Sequence, residues 1–175
     1  MTREEIKKLA LETGFDHAVD LDINTLDPLQ DIMDTCATNK CGAFGKNWGC
    51  PPHGTLDENK AKLRSYENGI IIQVVGRAKD ELDFEFYTET GAKFRECISK
   101  LYAELKADMP GCIALGAGGC KLCKDCARPE PCRLPDKRID ALEGYGIFIT
   151  QLCKDNDIQY YYGPDTIAYT GAILW

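Results

Sequence analysis

The 175-residue chain is 44% hydrophobic and 28% charged, which is ordinary for one globular domain with a core of its own. Its formal net charge of −7 disfavours binding to nucleic acid or to an anionic membrane surface. No apolar run reaches the roughly 20 residues of a membrane span, and the polar N-terminus is unlike a secretory signal. We therefore expect a cytoplasmic protein in which residues 1–175 form a single domain.

The first half of the chain alternates predicted helices and strands. Capping boxes and apolar periodicity predict helices over about residues 3–13 and 55–68. A short strand is expected at 16–21, and Asp27-Pro28 opens a short helical turn that leads to the first cysteine. The nearly continuous apolar run at 70–75 is typical of a strand that is buried on both faces.

The second half continues the alternation. An amphipathic helix is predicted over about 94–109 and a second interior strand at 112–116. A helix over about 136–152, interrupted by two glycines, precedes a closing hairpin with strands at 160–162 and 167–174. This alternation predicts the α/β class, as a mixed-sheet α/β sandwich whose sheet is parallel in its interior.

A cysteine-rich loop at about 118–135 dominates the sequence. Its four cysteines are Cys120, Cys123, Cys126 and Cys132. Packing gives no reason to place sulfur at every third position, whereas a loop that wraps a metal centre does. Because the cytosol keeps thiols reduced, the ten cysteines of the chain predict metal ligation rather than a disulfide framework.

An iron–sulfur centre is the favoured interpretation of this loop. A [4Fe-4S] cluster needs one outer ligand for each of its irons, and C-x2-C-x2-C supplies three from a single loop. The bacterial ferredoxin run continues with C-x3-C-P, but here five residues separate Cys126 from Cys132, and the proline is Pro135. Cys132 therefore either completes this cluster or serves a second one. Zinc is the rival metal, although its sites normally use two separate CxxC pairs.

A second cysteine-rich loop lies at about 36–53. Its three cysteines are Cys36, Cys41 and Cys50. A Gly-, Asn- and Pro-rich loop of this length usually has a function. The three thiols hold a second cluster, or one of them completes the first cluster, or all three are free. For a second cluster, the fourth ligand comes from Cys132, another cysteine, His53 or solvent.

The remaining cysteines are expected in the core. Cys97 lies on the apolar face of its predicted helix, Cys112 starts a strand and Cys153 lies on the last helix. Free cysteine is among the most buried residue types, so we assign these three no ligand role. Trp48, close to Cys50 in the sequence, either shields a cluster or is an ordinary core aromatic.

The charge of the first cysteine loop is opposite to that of the whole chain. Six basic and three acidic side chains lie within residues 120–138. This basic segment either compensates the negative charge of a thiolate-rich cluster or forms a docking face. The expected partner of such a face is an acidic redox protein or a small anionic ligand, with no nucleic acid and no membrane involved.

The motifs C-G-x-x-G-K-N-W-G-C-P-P (Cys41 to Pro52), G-G-C-K-L-C-K-D-C-A and P-C-R-L-P resemble an uncharacterised cysteine-rich family. Its members are described as predicted metal-binding proteins of mostly anaerobic bacteria and archaea. The resemblance extends over about residues 36–160. It implies metal binding in an anaerobic cytoplasmic setting, and it implies no particular reaction.

The sequence thus predicts an iron–sulfur protein with one or two [4Fe-4S] clusters that acts in redox chemistry or electron transfer. One alternative is a non-redox enzyme in which a three-cysteine cluster keeps an open iron as a Lewis acid. The other is a zinc-binding structural module. The sequence leaves open whether the protein is an enzyme.

Overall fold

The structure, a computed structural model, describes residues 1–50, 53–80 and 83–175. The elements in chain order are α1 (Arg3–Thr13), β1 (His17–Asp20), α2 (Gln30–Ala37), α3 (Leu56–Arg64), β2 (Gly69–Arg77), α4 (Glu85–Asp108), β3 (Ile113–Gly116), β4 (Asp140–Ala141), α5 (Ile149–Asp155) and β5 (Thr166–Leu174). Short 3-10 turns lie at Ile23–Thr25, Pro135–Lys137 and Glu143–Tyr145. The predicted α/β class is confirmed. Pro51 and Pro52, which belong to the predicted loop at 36–53, lie outside the described residues.

The five strands form one mixed sheet in the order β1-β2-β5-β3-β4. Only the edge pair β3–β4 is parallel, and the other neighbours pair antiparallel. The prediction of a parallel interior was therefore wrong. The apolar run of β2 has a different cause, because helices cover both faces of an antiparallel strand.

Two hydrophobic layers sandwich the sheet, and β2 contributes to both. Ile70 and Ile72 face the layer of α1 and α4, where Leu101 is fully buried. Ile71 faces the opposite layer, which contains Leu63 of α3 together with residues of α5. Successive strand residues point to opposite faces, so a strand covered on both sides is apolar at every position.

The predicted caps set the ends of two helices. In α1 the Thr2 side chain accepts from the Glu5 amide while Glu5 accepts from the Thr2 amide, and Gly14 ends the helix at a φ of 114°. Thr55 and Glu58 form the same box at α3. This second box fixes the point at which the second cysteine loop ends.

Several predicted helix and strand bounds differ from the observed ones. The helix at 55–68 ends at Arg64, and the helix at 94–109 already begins at Glu85. The strand predicted at 112–116 begins at Ile113. Although α4 is long, no helix within the described residues is apolar enough to cross a membrane.

The prediction of a helix over 136–152 was wrong. This segment forms a 3-10 turn, strand β4, a second 3-10 turn and only then the short helix α5 from Ile149. Gly146 adopts a φ of 87°, a left-handed conformation that ends the second turn and that an α-helix does not contain. Apolar residues at helical spacing here face the core from a strand and a turn instead.

The prediction of a closing hairpin was also wrong for its first strand. Residues 160–162 form no strand, whereas β5 pairs with β2 and β3. Tyr162 packs through its side chain instead: its ring stacks on His17 at 5.5 Å, and its hydroxyl donates to Gln73 Oε1 at 2.9 Å.

Both cysteine loops meet at the β4 edge of the sheet. The first loop connects β3 to β4, and the second connects α2 to α3. The Ala141 amide donates to the Gly49 carbonyl at 2.7 Å, and the Leu142 amide donates to the Gly116 carbonyl at 3.0 Å. The backbone of the second loop is thus hydrogen-bonded to the outer side of β4, beside the first loop.

Leu101→Ala tests the assignment of the core. We expect the free energy of unfolding to fall by about 2–5 kcal/mol, because buried atoms are lost and a cavity remains. Leu11→Ala is the control, since this side chain of α1 is 47% exposed, and its effect should stay within about 0.5 kcal/mol. Urea unfolding followed by circular dichroism measures both, and equal losses would contradict the assignment.

Candidate metal centre

The four cysteines of the first loop surround one small cavity. Cys120, Cys123, Cys126 and Cys132 all border it. They come together although they are spread over 13 residues, because the loop turns back on itself between β3 and β4. Cys132, whose role as a ligand the sequence leaves open, thus lies beside the three cysteines of the first loop.

Backbone amides surround the sulfur of Cys126. Hydrogen bonds from the main-chain N–H of Arg128, and to a smaller extent from those of Trp48 and Ala127, lower the pKa of the Cys126 thiol. The nearby charge of Arg133 acts in the same direction. Since the thiolate is the form that binds metals, this environment favours a ligand.

Trp48 reaches across from the second loop to cover the first. Its ring borders the four-cysteine cavity, and its indole N–H donates to the Glu130 carbonyl at 2.8 Å. The guanidinium of Arg128 lies 5.3 Å from the centre of the ring. Of the two roles that the sequence left open for Trp48, its position agrees with shielding the cavity.

Close backbone packing joins the two loops. The side-chain oxygen of Asn47 accepts from the Gly49 amide at 3.0 Å and from the Cys120 amide at 3.2 Å. A Cβ at Gly49 would lie 2.6 Å from both Cys120 Cβ and the Ile139 carbonyl oxygen. One at Gly119 would lie 2.5 Å from the Asn47 amide nitrogen. Glycine is therefore required at Gly49, where backbone atoms are met, while a side chain at Gly119 would displace the Asn47 amide.

The three cysteines of the second loop also lie near one another. Cys36 and Cys50 border a second cavity together with Phe44, whereas Cys41 is exposed. Burial raises the pKa of the Cys36 thiol, and the charges of Glu143 and Cys41 raise it further. Burial likewise raises the pKa of Cys50, with added contributions from Cys41, Cys36 and Glu143. The three thiols are thus within electrostatic reach of one another.

Glu143 is a candidate site residue that the sequence reasoning missed. Its Oε2 is shielded from solvent and has no hydrogen-bond partner among the described residues, although the residue as a whole is only partly buried. Burial raises the pKa of its carboxyl group, partly opposed by the nearby main-chain N–H groups of Glu143 itself and of Gly118. The Cys36 thiol donates to the Glu143 carbonyl oxygen at 3.6 Å. The only sequence signal was a carboxylate placed inside an otherwise apolar and glycine-rich segment.

His53 belongs to a different polar cluster. Its ring stacks on Tyr145 at 4.2 Å, and its Nδ1 lies 3.9 Å from Asp140. Burial lowers the pKa of His53 to about 4, partly opposed by the charge of Asp140. Its Nε2 is buried without a hydrogen-bond partner in the described part of the chain.

Asp140 connects this cluster to the first cavity. Its carboxylate accepts from Arg138 Nε at 2.7 Å and from the Tyr145 hydroxyl at 3.1 Å. The Lys62 ammonium in turn donates to the Tyr145 oxygen at 2.6 Å. Since Arg138 borders the four-cysteine cavity, this network holds a positive charge at the wall of that cavity.

The other three cysteines lie in the core, as predicted. Cys97, Cys112 and Cys153 are 5%, 0% and 0% exposed. The Cys97 thiol donates to the Thr13 carbonyl at 3.3 Å, which ties α4 to α1.

A family model described as predicted metal-binding protein (DUF2284) matches residues 20–175. The chain belongs to this family. The resemblance inferred from the cysteine motifs is thereby confirmed, and the match includes both cysteine loops. The description of DUF2284 states metal binding and no reaction. Comparisons with curated proteins and with solved structures gave no match.

The donors at both loops fit a metal group of thiolate chemistry. The first loop supplies four sulfurs around one cavity and amide N–H groups that stabilise a thiolate. The second loop supplies three sulfurs, and Glu143 beside it carries a shielded carboxylate oxygen that has no hydrogen-bond partner among the described residues. Across the described residues, no three His, Cys, Asp or Glu side chains converge closely enough to hold a single ion.

Gly49→Ala tests the contact between the loops. The added methyl group would collide with backbone and Cβ atoms, so we expect a lower melting temperature and a loss of bound metal. Gly111→Ala is the matched control, because among the described residues nothing lies within 4 Å of an added Cβ there. Thermal unfolding and metal analysis by mass spectrometry measure both effects. Wild-type metal content in Gly49→Ala would contradict the requirement for glycine.

Proposed function

We propose that the protein carries two [4Fe-4S] clusters, one in each cysteine loop, and acts in electron transfer. The observation that carries the proposal is the ring of four thiols, Cys120, Cys123, Cys126 and Cys132, around one cavity. A cube of four irons takes one thiolate on each iron, so four distributed sulfurs match its ligand requirement.

The surroundings of the first cavity support a redox role. When bound, the cluster accepts and releases an electron. The amides at Cys126 and the cations Arg133 and Arg138 stabilise the added negative charge. Trp48 excludes water from one side of the cavity. With four cysteines available, no iron needs an open position, which favours an electron carrier.

The second loop supports a second metal cluster, and it is also the feature that favours the enzyme alternative. Cys36, Cys41 and Cys50 supply three thiols, one fewer than a cube needs. If no protein atom completes this set, one iron is open to substrate and acts as a Lewis acid. This three-thiol arrangement is the observation that favours a non-redox enzyme as the second candidate function.

We also propose that the basic segment 120–138 receives an acidic redox partner. Lys121 and Lys137 are exposed on it, and Leu122 beside them is 38% exposed. Lys137 and Leu122 border a cleft against α4. Positive charge around an exposed apolar side chain suits a transient acidic partner, since steering increases the association rate.

Anaerobic purification should yield a brown protein with iron and sulfide in equal amounts, about eight of each. Its visible absorbance should bleach with dithionite. Cys123→Ser should lose about half of the iron, since it removes one of the four sulfurs that border the first cavity. Cys97→Ser should keep all of it, because a serine hydroxyl can still donate to the Thr13 carbonyl.

Other results would argue against the proposal in distinct ways. A colourless protein with stoichiometric zinc would overturn the iron–sulfur assignment in favour of a structural zinc module. Equal iron loss in Cys123→Ser and Cys97→Ser would contradict our division of the cysteines. Iron near four per chain in the wild type would overturn the second cluster.

Charge reversal tests the docking face. In Lys121→Glu/Lys137→Glu we expect oxidation of the reduced protein by ferricyanide, an anion, to slow by about three- to tenfold at low salt. The control Lys8→Glu/Lys154→Glu has the same net charge and exposed positions elsewhere. Stopped-flow absorbance measures the rates, and high salt should remove the difference. Equal rates in the two variants would contradict a local docking face.

A further inference from the structure

We propose that Glu143 supplies the fourth ligand, a carboxylate oxygen, to the metal group held by Cys36, Cys41 and Cys50. The inference rests on the proposed function, because it assumes that the second loop holds an iron–sulfur cluster. It replaces the open iron of a three-cysteine site with an iron bound through oxygen.

The fold places Glu143 next to the second loop. Helix α2 packs on the turn that contains Glu143, since the Leu29 amide donates to the Gly146 carbonyl at 2.9 Å. Gly146 also fits closely against Met33, whose Cγ would lie 2.9 Å from an added Cβ. Cys36 lies one helical turn beyond Met33, and its thiol reaches the Glu143 carbonyl oxygen at 3.6 Å. The helix thus holds Cys36 against the residue that we propose as its co-ligand.

The carboxylate itself is positioned but incompletely satisfied. The main-chain N–H groups of Glu143 itself and of Gly118 lie near the carboxyl group. Its Oε2 is shielded from solvent and has no hydrogen-bond partner in the described ranges. Buried carboxylates are normally paired, hydrogen-bonded or bound to a metal. A metal at the adjacent thiols would satisfy this oxygen.

Electrostatics place the carboxylate close to two of the thiols. The charge of Glu143 acts on both Cys36 and Cys50. The Arg128 guanidinium acts on Cys50 with the opposite sign.

Of the other fourth ligands considered from the sequence, neither Cys132 nor His53 forms a hydrogen bond with a thiol of the second loop among the described residues. Cys132 borders the first cavity with its three neighbours. The His53 ring stacks on Tyr145, and the charges around it are those of Asp140, Lys62 and Arg138. Glu143 contacts Cys36 directly, whereas the Nε2 of His53 lies against Gly144 at the border of the same cavity.

An oxygen ligand would give the second cluster one distinct iron. A carboxylate is a harder ligand than a thiolate and holds iron less firmly in a sulfur-rich site. The iron on Glu143 should therefore be the least firmly held, and it should leave on oxidation once an uncharged amide replaces the carboxylate. It should also be the one that an added thiol can reach by displacing the oxygen.

Iron analysis with Mössbauer and EPR spectroscopy tests the inference on anaerobically purified protein. We expect Glu143→Gln to lose one iron on mild ferricyanide oxidation, giving about seven per chain and the EPR signal of a [3Fe-4S] cluster. Under the same treatment the wild type should keep about eight irons. Glu143→Cys should also keep them, with the distinct iron now resembling the thiolate-bound ones in the Mössbauer spectrum. Glu130→Gln, an exposed carboxylate of the first loop, should behave as wild type.

The possible failures are distinguishable. If Glu143→Gln retains the iron content and Mössbauer spectrum of the wild type, Glu143 is not a ligand, while the two-cluster proposal stands. If the wild type contains no iron, the proposed function itself is wrong. Glutamine keeps the shape of the side chain and an acceptor oxygen, so the fold should persist. Glu143→Cys provides an independent test, since an unchanged distinct iron in it would overturn the assignment.

Discussion

The two cysteine loops depend on one backbone contact at the edge of the sheet. Gly49 accepts a hydrogen bond from β4 at Ala141 and packs directly against Cys120, and Asn47 binds the amides of both loops. A side chain at Gly49 is excluded from this contact, and the Asn47 side chain bridges the loops by hydrogen bonds, so close packing at glycine and one amide set their separation. A metal-binding loop needs this rigidity, because its ligands must be held in place by the structure around them.

Positive charges lie close to both groups of cysteines. Two groups of cysteines in an acidic protein would concentrate negative charge once the thiols ionise. Arg128, Arg133 and Arg138 lie near the two groups, and amide N–H groups surround the sulfur of Cys126. Arg138 is itself held by Asp140 at 2.7 Å. Thus the positive charge of this part of the chain has a local structural cause, whether or not it also attracts a partner.

Local sequence patterns predicted what depends on local geometry. Capping boxes predicted the starts of two helices. The spacing of Cys120, Cys123 and Cys126 indicated a shared site, and these three cysteines do border one cavity. The segment 136–152 was mispredicted because its apolar residues meet the core from a strand and turns, which helical spacing alone does not distinguish. Glu143 could not be found in this way, since its importance comes from α2 packing on its turn, a contact between segments about 100 residues apart.

The position of Glu143 makes the two sites unequal and connects them. The first cavity has four thiols of its own, whereas the second loop has three and lies beside a carboxylate. The amide of Gly118, at the start of the first loop, lies near this carboxylate, and the Cys36 thiol of the second loop contacts the Glu143 carbonyl oxygen. Sequence spacing treats the loops as two separate modules, but the turn that carries Glu143 lies against both of them.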